Sequence, residues 1–226
     1  RNMVTFIIPT LWKSEYIYKT IDAIQVSNTE GIELIIFDNA KSDFESPDHK
    51  IRVIKDKNYW VNHAWNKGIE LAKNQWVCFL NDDIHINIDL FCREFNRLVI
   101  NDNEIRETFG NLAYLSGSKF SDEINEDTDV LTLEPQVTRG SGFGQIIVVD
   151  KNNWEPIPEY FRIYFGDDFI YLIQEGMLRK KSWHFGNLKT IGNLSTTSSG
   201  VEHIMMEEYE LWKHAVNYAY NKYDKH

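Results

Sequence analysis

Apolar residues along this chain fall into short β-branched blocks that alternate with stretches of helical spacing. "MVTFIIPT" (residues 3–10) reads as a strand closed by Pro9. "SEYIYKTIDAIQ" (14–25) follows it, with apolar side chains three and four apart behind Ser14, a residue suited to capping a helix. "IELIIFD" (32–38) and "IRVIK" (51–55) repeat the strand pattern, and "VNHAWNKGIELAK" (61–73) returns to helical spacing. "QWVCFL" (75–80) is almost wholly apolar, as a parallel strand covered on both faces should be. Strands that alternate with helices need crossover connections, so the first 100 residues predict a mostly parallel, Rossmann-like α/β sheet flanked by helices.

Beyond residue 100 the pattern changes to predicted strands at 111–120, 130–135 and 142–150, with an acidic loop, "SDEINEDTD" (121–129), between the first two. "DDFIYLIQEGM" (167–177) predicts a helix ending near Gly176, and residues 201–223 predict a long amphipathic helix with a glutamate-rich polar face, suited to packing on the domain rather than to a membrane surface. No internal repeat or low-complexity linker interrupts the chain. The expectation is a single domain over 1–226, with lobes at 1–100 and 101–226 and a mixed sheet in the second.

In open parallel sheets ligands sit beyond the carboxyl ends of the strands. Pro9 and Thr10, Asp38 and Asn39, and Asn81 to Asp83 all fall at such ends, so three polar groups from three strands converge on one rim. Asp82 and Asp83 stand side by side although like charges repel. On the residues alone this is a turn that bonds its own backbone, a plain surface loop, or a site for a divalent cation. Asp38 with Asn39 is equally an Asx-turn or a ligand contact.

Charge narrows the partners. Acidic residues outnumber basic ones 34 to 24, giving a net charge of −10, which argues against nucleic acid as a partner. A phosphorylated small molecule would need local cations or a metal ion to offset that charge. The two cysteines, Cys78 and Cys92, are too few for a disulfide framework or a cysteine-rich zinc site. The opening residues lack a signal peptide's layout, and no run reaches the about 20 apolar residues of a transmembrane segment. A cytoplasmic protein is the expectation.

Five stretches in order, "TFIIPT", "IIFDNAKSD", "NYWVNHAWNKGIELA", "WVCFLNDD" and "GSGFGQIIVVDKNNWEPIPEYFRIYFGDDFIYLIQEGM", resemble the family 2 glycosyltransferases of the GT-A fold, including rhamnosyltransferase-like members; they cover about residues 4–178. The resemblance implies that Pro9, Thr10 and Asp38 hold the base and ribose of a UDP- or dTDP-sugar. Asn66, from the Asn-x-Gly step of the third stretch, joins them on the donor side. It assigns Asp83 as the direct ligand of Mn²⁺ or Mg²⁺, with Asp82 aimed at ribose or a metal-bound water, and His184 as a further ligand. A lone histidine is otherwise an ordinary packed or surface residue.

Asp168, with Asp167 before it, matches the acidic pair at the start of the acceptor-site helix and would be the base; both also suit a helix N-terminus as caps. The Gly-rich turn at 138–144, Gly142 included, would let backbone approach the donor sugar, or is a plain tight turn. Trp60, Trp65, Trp154 and Trp183 are candidates to stack on a sugar; Trp60 stands where the family has glycine.

The implied activity is inverting, metal-dependent transfer of a hexose or deoxyhexose to a hydroxyl of a glycan or other carbohydrate acceptor. Two rivals stand beside it. A sugar nucleotidylyltransferase shares a similar sheet but opens on a glycine- and arginine-bearing loop, absent from "PTLWKSE". An inactive nucleotide-sugar or carbohydrate-binding module would keep the fold, yet decay would be expected to remove one of "NDD" and "GDD".

Overall fold

The computed structural model describes residues 3–100, 109–114, 120–136, 144–192 and 200–224. Its centre is an eight-stranded sheet in the order β3-β2-β1-β4-β8-β6-β9-β7. The strands are β1 (Val4–Thr10), β2 (Glu33–Asp38), β3 (Ile51–Ile54), β4 (Trp76–Leu80), β6 (Phe109–Tyr114), β7 (Leu133–Pro135), β8 (Ile146–Asp150) and β9 (Lys181–Phe185). The four strands from β3 to β4 are parallel neighbours; β8 runs antiparallel to both β4 and β6, β9 is parallel to β6, and β7 closes the edge antiparallel to β9. A small ribbon of β5 (Ile84–His85) and β10 (Ile191–Gly192) lies outside the sheet. This is the α/β GT-A arrangement that the hydrophobic pattern and the resemblance led us to expect.

Strand alternation builds the three layers. Phe6, Ile8, Leu34, Ile36, Cys78, Leu80, Ile146 and Val148 enter one apolar cluster, while Ile7, Ile35, Phe37, Val77, Phe79, Ile147 and Val149 enter another. The first cluster is covered by α1 (Tyr16–Val26) and α3 (Ile88–Phe95), through Ile17, Ile21, Ile24, Phe91 and Phe95. The second is covered by α2 (Asn62–Leu71), α4 (Gly166–Tyr171) and α5 (Glu202–Tyr223). Gly68 lets α2 lie directly on β1, since a Cβ there would fall 2.2 Å from Ile7 Cδ1. Each fully buried isoleucine or phenylalanine of these clusters contributes about 1.5–3 kcal/mol relative to exposure.

Differences from the expected elements are local. The helix expected over 167–177 is α for its first turns and becomes a π-helical turn at Leu172–Met177. The strand at 130–135 shrinks to β7, because Leu131 N–H donates to the buried Glu94 side chain instead of a neighbouring strand. Helix α3, absent from the pattern reading, is capped by Asn87, whose side chain accepts from Leu90 N–H, and carries Asp89 in its first turn. No helix among the described residues is long and apolar enough to cross a membrane.

Candidate functional site

In the strand order 3-2-1-4, chain connections leave β1 in opposite directions, which opens a crevice between the carboxyl ends of β1 and β4. Two side chains bridge it. Thr10, 2% exposed, donates its hydroxyl to Asp82 Oδ2 at 2.7 Å and accepts Trp12 N–H at 2.8 Å. The bridge floors a cleft of ≈ 860 Å³ including its open mouth. Pro9, Thr10, Asn81 and Asp82 line the floor; Lys13, Asn39, Asn58, Trp60, Ile163 and Val201 supply walls.

The adjacent carboxylates take different environments. Asp82 faces the cleft, while Asp83 is 3% exposed and lies behind it, as alternation past a strand end would direct. Burial, and to a lesser degree the Asp83 charge, raise the Asp82 pKa above the usual carboxylate range against the pull of the Thr10 hydrogen bond. A cation would relieve that repulsion, so the donor set fits a divalent ion. Among the described residues no three His, Cys, Asp or Glu form a ready cage; an ion bound through one or two carboxylates completes its shell from substrate phosphates and water. Gly192 of β10 packs against this exit, since a Cβ there would stand 2.4 Å from the Asp83 carbonyl oxygen.

The second acidic pair opens α4. Asp167 Oδ1 accepts Asp168 N–H at 3.0 Å. Its other oxygen lies against Gly144, whose φ of +96° and missing Cβ leave just enough room: a Cβ would meet Asp167 Oδ2 at 2.6 Å. Gln145, the next residue, accepts Asn81 N–H at 3.0 Å. The loop before β8 therefore joins the two acidic segments. Asp168 is half-buried.

Other expected residues are held by the protein itself. Asp38 is fully buried; its Oδ1 accepts Ala40 N–H and its Oδ2 accepts both the N–H and hydroxyl of Ser42. Burial would raise its pKa, but the Ser42 hydrogen bonds and other donors outweigh it and hold the carboxyl below its usual range. This is an Asx-turn, and the neighbouring Asn39 reaches the cleft instead. Asn66 accepts Trp154 Nε1–H and Ile157 N–H and donates to Ile157 O, so it pins the loop after β8. His184 lies on β9, three strands from β4, about 14 Å across the sheet. Its Nε2 is 3.4 Å from Glu134 on β7, and the sheet does not bring it to Asp83. Gly142 lies outside the described residues.

Of the four tryptophans, only Trp60 lines the cleft. Trp65 stacks on Phe79 at 4.6 Å, Trp154 meets Phe79 edge-on, and Trp183 packs on the sheet core. Trp60 has a φ of +54°, and Trp12 at +59° stands between the cleft residues Leu11 and Lys13. Left-handed backbone at non-glycine residues costs on the order of 1 kcal/mol each and concentrates at functional sites. Sequence reasoning also overlooked Lys13, an exposed cation on the cleft wall; its position just past the end of β1 was the available signal.

Comparison with known proteins agrees with this fold. Residues 5–105 match the model of the family Glycosyl transferase family 2. Over that segment, a little under half of its length, the chain is similar to this family. Glycosyltransferase GlyA of Streptococcus pneumoniae serotype 4 (strain ATCC BAA-334 / TIGR4) is 24% identical over 106 residues, 43% of this chain but 15% of GlyA. The chain thus corresponds to a minor part of that relative's length. Among solved structures, the mannosyltransferase PcManGT from Pyrobaculum calidifontis, in complex with GDP-Man and Mn²⁺, superposes with a TM-score of 0.59 at 12% identity, covering 97% of this chain and 70% of that one. GalNAc-T7 with UDP, GalNAc and Mn²⁺ gives 0.55 at 10% identity, covering 96% and 50%. Both likenesses extend the shared fold well past residue 105.

Proposed function

We propose that this chain is the catalytic unit of an inverting glycosyltransferase that moves a hexose or deoxyhexose from a UDP- or dTDP-sugar to a glycan hydroxyl, with a divalent cation, Mn²⁺ or Mg²⁺. The observation that carries the reading is the Thr10–Asp82 bridge at the floor of the cleft between β1 and β4, with Asn81 tied through Gln145 to the loop that packs on Asp167. The nucleotide complexes of PcManGT and GalNAc-T7, each with Mn²⁺, support a nucleotide sugar and a metal. Trp60, standing where the family has glycine, narrows the cleft and favours a single-ring base. Lys13 offers a positive charge to the diphosphate.

Asp168 accepts the proton of the acceptor hydroxyl as that oxygen bonds to the anomeric carbon. The bond from that carbon to the diphosphate oxygen breaks on the opposite face, its electron pair leaves with the phosphate, and the anomeric centre inverts. Asp82 would hold the cation from the cleft floor and Asp83, buried next to it, would add the second carboxylate charge; when bound, the cation supplies positive charge to the departing diphosphate. Asp167, held against Gly144, keeps the first turn of α4 in register with the Asn81–Asp83 segment.

The test is a panel of UDP- and dTDP-sugars, with and without Mn²⁺, scored for transfer and hydrolysis and repeated with Asp83→Ala and Asp168→Ala. Asp168→Ala should lose about 10²–10⁴-fold in turnover while retaining nucleotide binding. Unaffected turnover would remove Asp168 as the base, and a panel in which no donor binds would favour a module without activity.

A further inference from the structure

One carboxylate lies outside everything described so far and yet touches the wall of the cleft. Along α5 the buried positions are Ile204, Glu208, Ala215 and Ala219, one stripe facing the sheet. A glutamate in that stripe is anomalous, because a charge removed from water needs compensating donors. Glu208 is fully buried. Its Oε1 accepts Arg162 N–H at 2.7 Å and Ile163 N–H at 3.4 Å, and its Oε2 accepts Tyr164 N–H at 2.8 Å. Three successive backbone donors therefore converge on one side chain.

The same segment is gripped from its other side. Arg162 O accepts both Val61 and Asn62 N–H, at 3.0 and 2.9 Å, and Tyr164 O accepts Asn62 Nδ2 at 2.9 Å. Residues 162–164 thus give their N–H groups to α5 and two of their carbonyls to the first turn of α2. Ile163 projects into the cleft between these grips, Phe165 turns the chain through left-handed backbone, and Asp167 and Asp168 follow at once. Glu207, the preceding residue, bonds the Arg162 guanidinium at 2.6 Å and that group lies 5.5 Å over the Trp60 ring.

We propose that Glu208 is a positioning residue for transfer: it sets the 162–164 segment, and through it the acidic pair of α4, relative to the nucleotide cleft. The proposal rests on the glycosyltransferase reading above. A displacement of about 1 Å in a reacting group is enough to cost up to about 10²-fold in rate, and the three N–H bonds are the means by which α5 prevents one.

The experiment compares the chain with Glu208→Ala, Glu208→Gln and Glu155→Gln. Glu155 clasps the far end of α5 through Tyr218, Lys222 and Tyr223, away from the segment at issue, so it controls for general loosening of the helix. Amide exchange at 162–164 and steady-state kinetics with the best donor of the UDP- and dTDP-sugar panel are read together. Glu208→Ala should raise exchange at those amides at least about tenfold and lower kcat at least about tenfold, with the donor KM within about threefold. Glu208→Gln, which keeps one acceptor oxygen, should fall between it and the parent chain. Glu155→Gln should lose melting temperature but keep kcat and the 162–164 protection.

Unchanged protection and kcat in Glu208→Ala would overturn the proposal, as would an equal kcat loss in Glu155→Gln at matched loss of melting temperature. The two readings fail separately. A parent chain that turns over no nucleotide sugar overturns the glycosyltransferase reading and the role of Glu208 in it, whereas an active parent with an indifferent Glu208→Ala overturns the role of Glu208 alone.

Discussion

Thr10 is the residue on which the cleft floor turns. One hydroxyl both accepts from the Trp12 backbone and donates to Asp82, so it fixes the strained loop after β1 and the carboxylate at the end of β4 at once. Thr10→Val keeps the volume and removes both bonds. Each lost hydrogen bond with a buried partner costs about 1–3 kcal/mol, so the melting temperature should fall, and nucleotide affinity should weaken about tenfold as Asp82 loses its orientation. Calorimetric titration with UDP and Mn²⁺ checks this; unchanged affinity would mean that Asp82 needs no such support. Gly144 makes a second demand at this scale. Alanine there would face both left-handed backbone and the Asp167 carboxylate 2.6 Å away. Gly144→Ala should therefore depress transfer more than nucleotide binding, because the proposed function puts Asp167 on the acceptor side. A loss confined to binding would contradict that placement.

The α2 element shows what the pattern of residues made legible and what it hid. The helical spacing of 61–73 was readable because Ala64, Trp65 and Ile69 face the sheet, and this one-faced periodicity survives in sequence. The same holds for the strand ends at Pro9, Thr10 and Asn81 to Asp83, whose position on the rim follows from parallel topology. Polar residues carry no such signature, since an amide that binds substrate and one that binds its own backbone look alike in sequence. Asn66 is such a case: three hydrogen bonds commit it to Trp154 and Ile157. Asn66→Ala should cost about 2–3 kcal/mol through stranded buried groups, seen as a lower denaturation midpoint, with UDP affinity within about twofold. A large affinity loss at unchanged stability would return Asn66 to the donor site. Asp38 was ambiguous for the same reason, and the place of His184 on β9 was hidden because sequence order says little about which sheet edge a late strand occupies. Glu208 and the helix α3 were both readable in principle, one as a charge in an apolar stripe, the other from an asparagine cap before Ile88, Phe91, Cys92 and Phe95.

At the scale of the whole molecule, buried carboxylates set the acid limit of the fold. Glu94 is 2% exposed on α3 and receives Arg93, Arg97 and Leu131 N–H, tying the 121–131 loop to the helix. Burial would raise its pKa, but these donors together bring it below its ordinary value of 4.5; Asp38 is likewise brought below 3.8 by the bonds of its turn. A carboxyl whose folded pKa is depressed binds protons more readily in the unfolded chain, so its stabilisation is fully present above the unfolded value and is lost as pH falls through the folded one. Stability should thus be flat from about pH 7 to about pH 5 in this respect and decline below about pH 4.5. Glu94→Gln cannot ionise, so it should be less stable than the parent at pH 7 and show a shallower decline below pH 4.5, the two curves converging in acid. Melting temperatures of both proteins across that range decide the matter: parallel curves would show that the Glu94 network does not contribute through its charge, and that the loop is held instead by the two carbonyls, of Asp127 and Asp129, that Arg93 also binds.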